Sequence, residues 1–184
     1  MIETIQGDVF DLAREMKGFA VVGTNTTTSK KGEAVMGRGA AKQAAELYPY
    51  LPKYFGDYLS GFAAEKTEKG TIHPSCIGIY DVFTYQEMVC EKMIFGFYAF
   101  IVKRGWWEDA SYNIIKKSSE MLAEFICNGY YYDKYENSPE PFLVTKVGCG
   151  NGRLQWDKVK PILEEYLEEV NYDNNIYFVE PIGG

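Results

Sequence analysis

Histidine and paired cysteine are nearly missing from this 184-residue chain, and their scarcity narrows the chemistry first. A single histidine, His73, cannot anchor a multi-histidine centre, and Cys76, Cys90, Cys127 and Cys149 show none of the paired spacings that hold zinc. The expectation is a reduced protein, cytoplasmic or otherwise intracellular, with no metal and no cofactor. Clustered basic residues are lacking too: 26 acidic against 19 basic residues give a net charge of -7, which excludes a broad footprint on a nucleic-acid backbone. A small pocket for one nucleotide end stays open. No apolar run reaches about 18 residues and the start carries no basic segment followed by an apolar one, so neither a membrane span nor a secretory leader is expected. Low-complexity segments, internal repeats and linkers are absent as well. Residues 1–184 therefore read as one domain, with 46% hydrophobic residues to fill its core.

What is present alternates between strand and helix patterns. Residues 2–6 read as a strand, 8–16 as a helix and 19–24 (F-A-V-V-G-T) as a buried strand. A polar loop over 25–33 precedes Gly37-Arg38-Gly39 and an alanine-rich helix over 40–47, which Pro49 closes. A helix over 51–64, one or two strands within 71–83 and an aromatic strand over 93–102 follow, where Gly96 marks a bulge or a close contact. Asp109 is the expected cap of a helix over 110–127 that Gly129 ends, with a polar loop over 133–140 beyond it. The chain finishes with an apolar strand from Phe142 to Val147, a helix over 155–170 and a strand over 176–179. Most of the fifteen tyrosines and eleven phenylalanines are expected in packing. Such alternation implies an α/β fold with helices on both faces of a mixed, mostly parallel sheet, and in such folds ligands sit beyond the carboxyl ends of the strands. Gly7-Asp8, residues 25–39, 103–107 and 148–153 would then surround one cleft.

The segment V-T-K-V-G-C-G-N-G-R-L-Q-W-D-K-V, residues 144–159, is the sharpest signal within that cleft. Its three alternate glycines leave bare backbone between a strand and a helix, which lets successive N–H groups approach an anion closely. A glycine-rich turn without a ligand is the alternative. A dinucleotide-binding fold is a poor fit, because its glycine fingerprint belongs after the first strand, where this chain has only Gly7-Asp8.

Taken in order, I-x-x-I-x-G-D-V-F, V-V-G-T-N-T, G-x-A-V-M-G-R-G-A-A-K-Q-A, Y-P and G-C-G-N-G-R-L-Q-W-x-x-V resemble the macrodomain family over nearly the whole chain. The nearest likeness is to the branch with ADP-ribosyl glycohydrolases and ADP-ribose 1''-phosphate phosphatases. That resemblance implies a three-layer α/β/α macrodomain-like architecture with a central mixed, mostly parallel sheet. It also implies a nucleotide-binding site for ADP-ribose or an ADP-ribosylated macromolecule. Hydrolysis that releases ADP-ribose, non-catalytic reading of the mark and phosphatase action are the three functions it leaves open. A nucleic-acid substrate stays within reach, and the oligomeric state is undetermined.

By the same resemblance, Asp8 accepts the adenine amine, or it caps the helix that follows it. Asn25 orients the distal ribose, or it braces its own turn. Gly37 and Gly39 form a first loop near the distal ribose and phosphates, while Gly148, Cys149, Gly150, Asn151, Gly152 and Arg153 form a second around the diphosphate. Asn25 and Arg38 are the catalytic candidates. The resemblance breaks at two points: DNA-directed glycohydrolases of this branch carry a lysine where this chain has Arg38, and one hydrolase type carries an aspartate where it has Gly152. A guanidinium stays protonated and makes a poor nucleophile, though it pairs with phosphate. Water held by the substrate's own phosphates is the remaining hydrolytic route. His73 as a turn residue, Cys149 as a packing residue, Trp156 as a helix anchor and Lys103-Arg104-Gly105-Trp106-Trp107 as either a pocket rim or helix support complete the reading.

Overall fold

Two opposite faces of one sheet take up the apolar residues, and the strand patterns show why. In the computed structural model, which describes residues 1–78, 83–89, 92–128, 140–171 and 175–183, the strand β7 (Lys92–Lys103) runs through the middle of the molecule. Phe95, Phe97 and Ala99 point to one face and Tyr98, Phe100 and Val102 to the other, the period of two that a strand imposes. The first set packs with α1 (Val9–Glu15), α2 (Gly39–Leu47) and α3 (Leu51–Leu59), and the second with α4 (Tyr112–Cys127) and α5 (Trp156–Leu167). The result is the expected three-layer α/β/α arrangement.

The sheet has six strands in the order β1-β9-β8-β2-β7-β6, with β1 at Glu3–Gln6, β2 at Phe19–Asn25, β6 at Thr84–Val89, β8 at Phe142–Val144 and β9 at Ile176–Glu180. Five strands are parallel, and only β6 runs antiparallel, against β7. The carboxyl ends of β1, β2, β7, β8 and β9 therefore lie on the same edge. Gly96 marks a close contact, since a Cβ there would sit 2.4 Å from the ring of Phe19. The β2–β7 register instead slips between Thr24 and Asn25, which sets Asn25 beside Lys103.

Several boundaries differ from expectation, each for a local reason. The third helix stops at Leu59, because the Ser60 hydroxyl turns back to the Gly56 carbonyl and Gly61 closes a turn on Tyr58. The described residues of 71–83 do not form a strand of the main sheet. β5 (Gly70–Ile72) instead pairs antiparallel with β3 (Thr27–Thr28) and β4 (Glu65–Thr67) in a separate three-stranded sheet, and Pro74–Cys76 form a short 3₁₀ turn. Asp109 does not cap α4: the N–H groups of Ala110 and Ser111 are held by the carbonyls of Gly152 and Val102, which delays the helix to Tyr112 with Ser111 as its cap position. The helix over 155–170 divides into α5 and a 3₁₀ turn at Glu168–Val170. Cys90, Gly129, residues 79–82 and the loop over 133–139 lie outside the described residues. Among the described residues no helix is long and apolar enough to cross a membrane, and no group of three or more histidine, cysteine, aspartate or glutamate side chains is placed to hold a metal.

Candidate ligand cavity

A cavity of about 680 Å³ opens at the edge where the parallel strands end. Within the range typical of small-molecule sites, it lies where a parallel α/β sheet binds its ligands. Asn25, Gly37, Arg38, Gly39, Gly148, Cys149, Gly150, Asn151 and Gly152 all line it, and with Lys103 and Trp106 they make eleven of the residues singled out in the sequence. Asp8 and Arg153 do not belong to its lining.

Among the described residues, both glycine loops leave backbone N–H groups unpaired beside the cavity. α2 begins there with Arg38 at its cap position and no side-chain cap, and the first intrahelical bond runs from the Lys42 N–H to the Arg38 carbonyl. The N–H groups of Gly39, Ala40 and Ala41, at the positive end of the helix, are thus left for a ligand or solvent. In the second loop the N–H groups of Cys149, Arg153 and Leu154 close turns on Lys146, Gly150 and Gly148. Those of Gly148, Gly150, Asn151 and Gly152 donate to no oxygen among the described residues. The loops also meet, since a Cβ on Gly39 would stand 3.6 Å from Asn151 Nδ2.

The glycines themselves separate into two kinds. Gly148 has φ +76°, and its Cβ would lie 2.9 Å from Ile115 Cδ1; a Cβ on Gly152 would lie 2.3 Å from the Gly148 carbonyl oxygen. Those two are required by the folding of the loop. The Cβ positions of Gly37 and Gly150 meet nothing within 4 Å, so there glycine keeps space that the protein does not use. The resemblance sets Gly152 in the loop around the diphosphate. Its first demand is the carbonyl of Gly148.

The polar side chains are held before any ligand arrives. Asn25 donates from Nδ2 to the Val35 carbonyl at 2.9 Å and accepts the Thr27 N–H at 2.9 Å, so it braces its turn and keeps one amide hydrogen and one lone pair for the cavity. Asp8 realises its capping role, accepting the N–H groups of Phe10 at 2.9 Å and Asp11 at 3.1 Å, while Gln43 donates to its second oxygen at 2.5 Å. Burial pushes the Asp8 carboxyl up, but the Gln43 amide, the two N–H groups and nearby Arg14 outweigh it and leave the group below the ordinary carboxylate range. Arg153 sits at φ 61° and pairs with Asp109 at 3.3 Å on the surface.

Lys103 is the residue whose importance the sequence understated. It ends β7 in the cavity wall at 9% exposure, and its Nζ donates to the carbonyls of Trp106 at 3.2 Å and Glu108 at 2.9 Å. Burial, the largest cause, lowers its pKa; Arg38 and Arg153 add to that effect, and Asp109 and Glu108 oppose it. The pattern K-R-G-W-W after an apolar strand placed Lys103 and Trp106 near the cleft, but nothing in the sequence disclosed the burial. Thr24 and Lys146 were not anticipated. The Thr24 side chain, 4% exposed in the cavity wall, has a hydroxyl without a hydrogen-bond partner among the described residues. Lys146 pairs with Glu180 at 3.0 Å. The charged side chains that line the cavity are Arg38, Lys103 and Lys146, and among the described residues no carboxylate lines it.

The other candidates fall into packing. Both ring nitrogens of His73 are occupied, by Thr28 Oγ1 at 3.0 Å and the Phe62 carbonyl at 3.3 Å, and the residue does not line the cavity. Cys149 does line it, but burial raises its thiol pKa, with Asp157 adding and Lys146 opposing, so the thiolate nucleophile is disfavoured. Trp156 packs edge-on against Phe178 at 5.3 Å, as a helix anchor.

No family model matches the chain, and no curated protein matches it. Solved structures do. The macrodomain of Mycobacterium tuberculosis DarG superposes with a TM-score of 0.71 at 21% identity over 98% of each chain. The macrodomain of Thermus aquaticus DarG gives 0.67 at 20% over 97% of each. Thermosipho africanus DarTG in complex with ADP-ribose gives 0.67 at 19%, covering all of this chain and 43% of that one. With its layers, strand order and cavity edge in place, the protein has the macrodomain fold.

Proposed function

We propose that the cavity binds ADP-ribose, free or as the terminal group of an ADP-ribosylated molecule. The observation that carries this reading is the charge contrast: in a chain of net charge -7, the charged side chains lining the cavity are three cations. Seven backbone N–H groups from the two loops add to them, as a diphosphate requires. Gly37 and Gly150 leave space for the diphosphate, Asn25 offers its remaining amide hydrogen to the distal ribose, and the unpartnered Thr24 hydroxyl favours a polar occupant. Asp8 takes the adenine amine if Gln43 gives way. A solved structure in complex with ADP-ribose, 43% of which this chain matches in fold, supports the choice of ligand.

Turnover is the second reading, and buried Lys103 favours it. Water adds to the anomeric carbon of the distal ribose as its bond to the attached group breaks, and the departing atom takes up the bonding electrons. Lys103, with Arg38 nearby, offsets that charge and gives the departing atom a proton, and the added water returns one proton to the neutral Lys103 amine. No cavity carboxylate is needed. A side chain at Gly152 would collide with Gly148, so the aspartate of the related hydrolase type has no room in this loop.

Titration calorimetry with ADP-ribose tests binding. Parallel assays on ADP-ribosylated DNA, ADP-ribosylated protein and ADP-ribose 1''-phosphate test turnover. Release of ADP-ribose from either of the first two supports the hydrolase, phosphate release supports a phosphatase, and binding without turnover makes the protein a reader. Absence of ADP-ribose binding overturns the proposal.

A further inference from the structure

Lys103 owes its place to a short turn that folds back on it. Residues 103–108 follow β7, and the carbonyls that receive its ammonium, those of Trp106 and Glu108, belong to this turn. A lysine has three N–H donors, so one remains for a bound molecule. The turn is closed by the Glu108 side chain. Its Oε2 accepts the Gly105 N–H at 3.1 Å and its Oε1 accepts Arg104 Nη2 at 3.1 Å, while the Glu108 N–H returns to the Gly105 carbonyl at 3.1 Å. Gly105 has little freedom there, because a Cβ would lie 2.7 Å from the Trp107 ring.

The same turn is fastened to the rest of the protein from the other side. The Arg104 carbonyl accepts the Thr26 N–H at 2.9 Å and the Thr26 hydroxyl at 3.0 Å, and the Trp106 N–H donates to Thr27 Oγ1 at 3.1 Å. One carboxylate, half-buried and outside the cavity lining, thus sits at the only ionic closure of the turn among the described residues.

We infer that Glu108 is the positioning residue for the cavity cation: its carboxylate closes the 103–108 turn and so fixes the two carbonyls that aim the Lys103 ammonium at the ligand. Glu108 itself touches no ligand. This inference rests on the ADP-ribose reading for its importance, though not for its geometry. The charged groups around Lys103 are Glu108 from the turn, Asp109 just after it, Arg38 from the start of α2 and Arg153 from the second glycine loop. Removal of Glu108 takes away one of the two acidic groups that oppose the two arginines.

The test joins two readouts on the full chain. Lysine labelled with carbon-13 at Cε reports the titration midpoint of Lys103 by nuclear magnetic resonance, assigned with Lys103→Met, and calorimetry reports ADP-ribose affinity across pH. In Glu108→Ala the Lys103 midpoint falls, and affinity at neutral pH drops about tenfold, the scale of one charged hydrogen bond. Glu108→Asp, which keeps the carboxylate, restores part of both, whereas Glu108→Gln keeps the shape and not the charge and shifts the midpoint the same way as alanine. If alanine does not fold, the aspartate and glutamine variants carry the same comparison. An unchanged Lys103 midpoint and pH profile in these variants overturns the inference. Failure of the wild-type protein to bind ADP-ribose overturns the functional reading instead, and leaves the Lys103 midpoint as an independent test of Glu108.

Discussion

The two glycine loops face the same cavity, yet their glycines answer different demands. Gly148 and Gly152 of the second loop are fixed by its own packing, one at positive φ and the other against a carbonyl, whereas Gly37 of the first loop and Gly150 of the second border open space. A glycine-rich motif therefore mixes two signals that a sequence prints identically. Only the open positions leave room for a ligand. The closed ones shape the backbone that offers its N–H groups.

Substitutions break or sharpen that contrast. The largest effect is expected at Gly152→Ala, whose methyl would lie 2.3 Å from the Gly148 oxygen and 2.7 Å from Ala110 Cβ, against the start of α4. Strain and displacement of the loop should cost about 3 kcal/mol or more, measured by urea denaturation, and retained stability would erase the distinction between the two kinds of glycine. Lys103→Met comes next. Loss of a charged hydrogen-bond donor should weaken ADP-ribose binding by about 10- to 100-fold, while relief of the buried charge and loss of the donor to the Trp106 and Glu108 carbonyls offset each other and leave stability within about 1 kcal/mol.

The pH dependence sharpens the same point. Burial lowers the Lys103 pKa, so its charge is lost at a lower pH than that of an exposed lysine. Affinity for the anionic ligand should therefore begin to fall below the ordinary lysine range as pH rises, and Lys103→Met should flatten that portion of the profile. The smallest effect belongs to Asp8→Ala, which removes the α1 cap at a cost of about 1 kcal/mol. Because the folded-state pKa of Asp8 is depressed, its contribution is complete above the ordinary carboxylate value and disappears as pH falls through the lowered one. Acid titration of thermal stability in wild type and Asp8→Ala should converge at low pH.

Long, periodic segments were legible in the sequence: β1, α1, β2, α2 and α4 stand within a few residues of where their apolar patterns put them, and both glycine loops reached one cavity. The small sheet of β3, β5 and β4 was not legible, because strands of two or three residues carry no period to read. The α4 start was misplaced for another reason. Asp109 is a good capping residue, but long-range bonds from Ala110 to Gly152 and from Ser111 to Val102 decide where the helix begins. Lys103 marks the same limit at the site: its place after an apolar strand was visible, while its burial depends on a turn closed by Glu108 and on the β2–β7 register slip. Local pattern located the loops, and tertiary hydrogen bonds determined which side chains the cavity exposes.

The central claim is that the open glycine positions hold the ligand, and paired calorimetry of ADP-ribose with wild type and Gly150→Val tests it most directly. Gly150 has no positive φ and its Cβ position meets nothing within 4 Å, so the valine should fold with stability within about 0.5 kcal/mol of wild type. The account predicts clear binding by wild type and strongly weakened binding by the equally stable variant; equal affinity in the two proteins, or no binding by either, would contradict it.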